Sequence, residues 1–261
     1  MGATGPTGLI VPLYSYPGPE WRRLVASKRS HPDVPIIAVV NPCDGPGTNL
    51  DPNYLDGILC LQSAGIVVLG YVATGFGSRS LASVIGDIHA YRTMYPTTGV
   101  FFDEMPNVHE SGIDYSVLGR HARSLGVFPL IGNPGARLPP PLGRMMDLVV
   151  IYEDAGLPSE SLLASRADGM SRKNTAFISY DTVLPDLSYL RSVSNHVGYI
   201  YITDEMAPNP YSVLPSYLPS LLDSMSQAGR PGASYRRTMG GLGVLTRWRS
   251  VSEDFSLTRY I

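Results

Sequence analysis

Apolar and polar positions alternate in blocks along most of this chain. Eight short runs rich in Val, Ile, Tyr and Phe stand out: Leu9 to Leu13, Pro35 to Val40, Ile66 to Val72, Thr98 to Phe102, Val127 to Ile131, Asp147 to Tyr152, Asn174 to Tyr180 and Tyr199 to Ile202. Runs of this length and composition predict strands. Their starts lie about 27 residues apart, enough for one strand, one crossover helix and two loops. Helices are predicted between them, over Glu20 to Arg29, Pro52 to Ala64, Leu81 to Tyr95, Tyr115 to Leu125, Pro141 to Met146, Ser159 to Ala167, Leu187 to His196 and Tyr211 to Met225. Gly65, Gly126, Gly198 and Gly229 follow four of these segments, where a left-handed residue closes a helix at little cost.

Eight βα units in about 230 residues fit a (β/α)8 TIM barrel, with a doubly wound open sheet as the competitor. The unbroken apolar character of the strands suits both, because each buries two faces. The barrel accounts for all eight units in a single domain, residues 1–229. Beyond Gly229 the pattern stops. Residues 230–261 carry six Arg against Glu253 and Asp254, whereas the first 229 carry 14 Lys and Arg against 20 Asp and Glu. That segment is expected to be an irregular, basic C-terminal extension.

Composition excludes several classes. With 44% hydrophobic and 16% charged residues the chain can fill a core, and its net charge of -2 argues against nucleic-acid binding. No apolar run reaches the ~18 residues of a membrane span, and the first residues have no signal-peptide pattern. Cys43 and Cys60 are too few for a zinc site, though one bridge between them is possible. No metal or cofactor is called for, and a monomer is expected.

A barrel of this kind builds its site from the loops that follow the strands. Those positions hold Tyr14, Asn41, Tyr71, Asp103, Glu104, Asn133, Glu153, Asp154, Asp181, Asp204 and Glu205. Acids, amides and tyrosines dominate, which suits sugar binding and glycosidic cleavage by two carboxyls. Asp103 and Glu104 are adjacent, so only one readily faces the axis. Glu153 repeats the arrangement two strands later, and the Asp103–Glu153 pair would meet across the mouth. Strand ends also carry acids that are solvated or cap the next helix; Asp154, Glu205 and Asp181 are the candidates for that role. The tyrosines equally suit packing. His31, His89, His109, His121 and His196 fall in loops or on helices, away from the strand ends. Gly45, Pro46 and Gly47 lack the Lys and hydroxyl of a P-loop, and a phosphate-binding barrel would not place Asp181 and Asp204 after strands seven and eight.

In order along the chain, Ile10 to Tyr14, Asn41-Pro42, Gly45 to Gly47, Leu69 to Val72, Thr74, Gly75, Arg79, Val100 to Glu104, Asn133 to Gly135, Glu153, Tyr201 to Asp204, Asn209 to Tyr211 and Leu214 to Tyr217 resemble the spherulin-4 family. The resemblance spans about Leu9 to Asp223. It implies a (β/α)8 glycoside hydrolase like the fungal endo-α-1,4-N-acetylgalactosaminidases that cut galactosaminogalactan in cell walls and biofilm matrix. The family's acidic pair falls on Asp103 and Glu104, and its later acid on Glu153. These are the expected catalytic residues: Asp103 as nucleophile or charge stabiliser, Glu153 as general acid/base and Glu104 in support. Tyr14, Asn41, Tyr71, Arg79, Asn133, Tyr201 and Asp204 are the expected substrate-binding residues, with a polysaccharide as the partner. Retention through a covalent intermediate and endo action are expected. The alternative is a non-catalytic carbohydrate-binding or cell-wall-associated protein on the same barrel. Family membership implies secretion or wall association; taken as it stands, without a leader, the chain would stay cytoplasmic.

Overall fold

The computed structural model describes residues 7–107 and 112–228. The boundary at Gly229, the basic extension and His109 lie outside the described residues. Eight parallel strands close into a barrel in chain order. They are β1 (Gly8–Leu13), β2 (Ile36–Val40), β3 (Val67–Ala73), β4 (Gly99–Asp103), β5 (Leu130–Gly132), β6 (Leu148–Ala155), β7 (Thr175–Tyr180) and β8 (Tyr199–Ile202). Pairing of Gly8 with Tyr199 and Leu9 with Ile200 seals the ring. The open-sheet alternative is thereby excluded.

The crossover helices are α1 (Pro19–Ser30), α2 (Pro52–Ser63), α3 (Leu81–Met94), α4 (Tyr115–Ser124), α5 (Pro140–Gly143), α6 (Glu160–Ala167), α7 (Leu187–Val193) and α8 (Leu218–Ala228). Five start on a side chain that accepts a free backbone N–H: Asp51, Ser80, Asp114, Ser159 and Asp186. Each such cap contributes about 1 kcal/mol. β1 and β2 are buried along their whole length, as strands covered on both faces must be. α3 lies close on β3 because Gly70 leaves room for the Tyr91 ring; a Cβ there would come within 2.7 Å of it. Tyr91 donates its hydroxyl to the Val40 carbonyl and so pins helix to sheet.

Several expectations are corrected. β5 begins at Leu130, not Val127, because Pro129 has no N–H for the ladder and Phe128 is exposed. β6 runs on to Ala155 past an irregularity between Val150 and Tyr152. α5 is a single turn, and α8 begins at Leu218, seven residues later than expected. Gly198 is not left-handed; it is small because Arg172 and Lys173 backbone crowd it. Of the two roles expected for Asp154, Asp181 and Glu205, solvation holds for Asp154 and Asp181, which are exposed, and capping does not: Ser159 and Asp186 cap α6 and α7. Cys43 and Cys60 are both free. Among the described residues no helix is long and apolar enough to cross a membrane.

Candidate active site

At the C-terminal mouth β4 delivers Asp103 and β6 delivers Glu153, and Asn133, just after β5, stands between them. The Asn133 amide nitrogen donates to Asp103 Oδ1 at 2.8 Å and to Glu153 Oε2 at 2.5 Å. Its own Oδ1 accepts the Gly135 N–H at 3.0 Å, which fixes the orientation of the amide. Both protons and the oxygen of this buried side chain are thus engaged within the protein. Gly135, at φ 59°, turns the chain against Glu153.

Three tyrosines enclose the pair. Tyr211 donates its hydroxyl to Glu153 Oε1, and Tyr71 donates to Asp103. Tyr14 packs edge-on against both, with ring centroids 5.5 and 5.6 Å away. Burial, reinforced by the neighbouring carboxylates, pushes all three phenols well above their ordinary range, so they stay neutral hydroxyls.

Asp103 is pushed up to about 6, first by burial and then by the charge of Glu153. The Glu104 N–H, Tyr71 hydroxyl and Asn133 amide hold it down in part. Because its folded value exceeds the unfolded ~3.9, Asp103 binds its proton more tightly in the folded chain, and stability is lost as pH rises from about 4 through 6. The loss is on the order of 2–3 kcal/mol. Urea unfolding of Asp103→Asn should lack that slope; an unchanged slope would mean that Asp103 does not carry the burden.

The remaining expected residues are distributed as follows. Glu104 occupies a left-handed turn at φ 52°, and its N–H faces Asp103 while its carbonyl accepts Thr74 Oγ1 and Phe76 N. Tyr14, Asn41 and Tyr71 line a cavity of about 420 Å³ with Cys43, Asp44 and Asn209. Arg79 is turned away to the Ala73 carbonyl and Asp87. Tyr201 is fully buried behind Tyr211, ring centroids 6.2 Å apart. Asp204 binds Ser216 through its backbone N–H and hydroxyl and so ties β8 to the 211–217 loop. Neither Tyr201 nor Asp204 lines the cavity.

Tyr211 was not among the expected residues, because its segment reads as the start of a helix. It is a loop instead, anchored by Tyr14 N to Tyr211 O, by Leu214 N to Glu20, and by Arg23 to three carbonyls of residues 214–216. Asn209 Oδ1 accepts Tyr211 N, a side-chain turn that competes with helix, and Pro215 forbids a helix through that point. Those two residues were the available signal.

The spherulation-specific family 4 pattern matches residues 8–225. The chain belongs to the spherulin-4 family. It is 32% identical over 228 residues to spherulin-4 of Physarum polycephalum, covering 82% of this chain and 68% of that protein. The structure also resembles Aspergillus clavatus Sph3, solved in complex with GalNAc, with a TM-score of 0.72 and 26% identity. That match covers 86% of this chain and all of Sph3. An α-L-fucosidase from Paenibacillus thiaminolyticus shares the fold alone, at TM-score 0.54 and 12% identity. Family members are therefore comparable across almost the whole barrel.

Proposed function

We propose that the protein is a glycoside hydrolase that cuts α-1,4-linked galactosamine and N-acetylgalactosamine polymers within the chain and retains anomeric configuration. The observation that carries this reading is the single Asn133 amide bonded to both Asp103 and Glu153. Two bonds to one nitrogen keep the two bonded oxygens within about 5 Å of each other, which supports the roughly 5–5.5 Å carboxyl separation of retaining enzymes over the wider gap of inverting ones. The likeness to a GalNAc-bound relative supports the sugar class.

In this mechanism Asp103 attacks the anomeric carbon as Glu153 gives its proton to the departing glycosidic oxygen. Water then enters: its oxygen bonds to the anomeric carbon as Glu153 takes one of its protons, and the glycosyl–Asp103 bond breaks. The partners of the two acids suit these roles. Asn133 donates to both acids and does not tell them apart, but the Glu104 N–H, on Asp103 alone, can only donate and so favours an anion there. Glu153 Oε1 faces the Tyr211 hydroxyl, which can accept as well as donate and so tolerates a protonated acid. A proton on Glu153 removes the second cause of the raised Asp103 value and leaves burial, the first.

The pair works with one proton between the two carboxyls. Asp103 is the member of the pair pushed up to about 6, so the pair's last proton should leave near that pH and kcat/KM should fall tenfold per pH unit above it. A rate that instead rises through pH 6 to a plateau near 8 would contradict the shared-proton pair. The test of the function is incubation of the protein at pH 5 with α-1,4-linked galactosamine oligomers, acetylated and not, following products by NMR. Internal cuts with α-anomers formed first are expected. Binding without turnover would leave the alternative, a non-catalytic carbohydrate-binding protein.

A further inference from the structure

Phe76 is 70% exposed and left-handed, at φ 51° and ψ 35°, between two further left-handed residues, Gly75 and Gly77. A bulky side chain is strained in this region of backbone space, and a solvated aromatic ring forgoes its burial as well. Folding thus meets two penalties to hold this ring outward. Its place is the rim of the site. It lies three residues beyond Ala73, which is in register with Asp103. Its N–H is held by the Glu104 carbonyl at 2.7 Å, and Thr74 ties the same turn to the Asp103 and Glu104 carbonyls. The turn that presents the ring is therefore fastened to the strand end that presents the catalytic acid.

We propose that Phe76 is the aromatic platform of an outer saccharide subsite, stacking on a sugar ring of the polymer beyond the one being cleaved. This rests on the reading that the mouth takes a saccharide chain. A flat apolar face fixed at the rim matches the apolar C–H face of a pyranose. The ring is not among the partners of Asp103 or Glu153, so its effect belongs to chain length: long polymers use it and short oligomers do not.

The test compares Phe76→Gly and Phe76→Trp with wild type on a partly N-acetylated α-1,4-galactosamine polymer and on its shortest cleavable oligomer. Phe76→Gly should raise KM for the polymer roughly threefold to tenfold, leave kcat on the oligomer unchanged, and keep or raise Tm because the backbone strain is relieved. Phe76→Trp should restore polymer binding. Unchanged polymer affinity in Phe76→Gly would overturn the proposal, and so would a fall in Tm with equal losses on both substrates, since that marks a packing residue. Retention of the polymer in affinity electrophoresis reads the same difference without turnover. An inactive wild type would therefore count against the hydrolase reading while this comparison still decides the role of Phe76.

Discussion

Asp103→Asn is expected to lower kcat on α-1,4-galactosamine oligomers by roughly 10³–10⁴-fold while the barrel still binds them. The substitution keeps the size of the side chain and removes the charge that, in the proposed mechanism, attacks or stabilises the anomeric carbon. Burial of Asp103 on β4, with Asn133 and the Glu104 N–H on its oxygens, leaves no other carboxyl able to move into its place. Glu104 is adjacent in sequence, but its left-handed backbone commits its N–H to Asp103 and its carbonyl to Thr74 and Phe76. Glu153→Gln should cost a comparable factor on substrates with poor leaving groups and much less on an activated aryl glycoside, which needs no proton. Addition of azide should then rescue Glu153→Gln in the second step and leave Asp103→Asn inactive. Full activity in Asp103→Asn, measured as reducing ends with correct binding, would remove the basis of the proposed chemistry.

Much of the barrel is written in the sequence because strands buried on both faces must be apolar throughout. β8 matches its expected bounds, and β1, β2 and β7 start within one residue of theirs. Where pattern and structure differ, a different force wins. At β5 the apolar letters Val127 and Phe128 suggested strand, yet proline removed a ladder donor. Over residues 211–217 helical letters were overruled by local side-chain turns and by Arg23, whose guanidinium holds three carbonyls of a loop far away in sequence. No periodicity within the loop can report a partner 191 or more residues distant.

The site was legible in part for a related reason. Strand-end position and residue type point to Asp103, Glu153, Tyr14 and Tyr71, and the structure gathers these four around one mouth. Position does not reveal direction. Arg79 and Asp204 follow strands as well, but their side chains turn to Asp87 and Ser216 and hold loops together. Tyr201 points inward to the core, as strand alternation permits. Phe76 carries no chemical signal in sequence, and only its backbone angle and exposure distinguish it from any loop phenylalanine.

Asn133 offers the second large effect, and it separates positioning from substrate binding. Asn133→Ala should reduce kcat by roughly 10²–10³-fold, because one donor serves both carboxylates and its loss lets them repel and drift. Its side chain has no hydrogen left for a sugar, so KM should change little. The proton balance must shift too. The amide lowers the Asp103 value, and without it the pair binds its proton more tightly, so the fall in kcat/KM should begin above pH 6 rather than at about 6. Asn133→Asp should move it further in the same direction, since a third carboxyl joins the two. A higher KM with kcat and pH profile intact would instead mean that Asn133 contacts the substrate, and the bridge between the acids would then carry no catalytic weight.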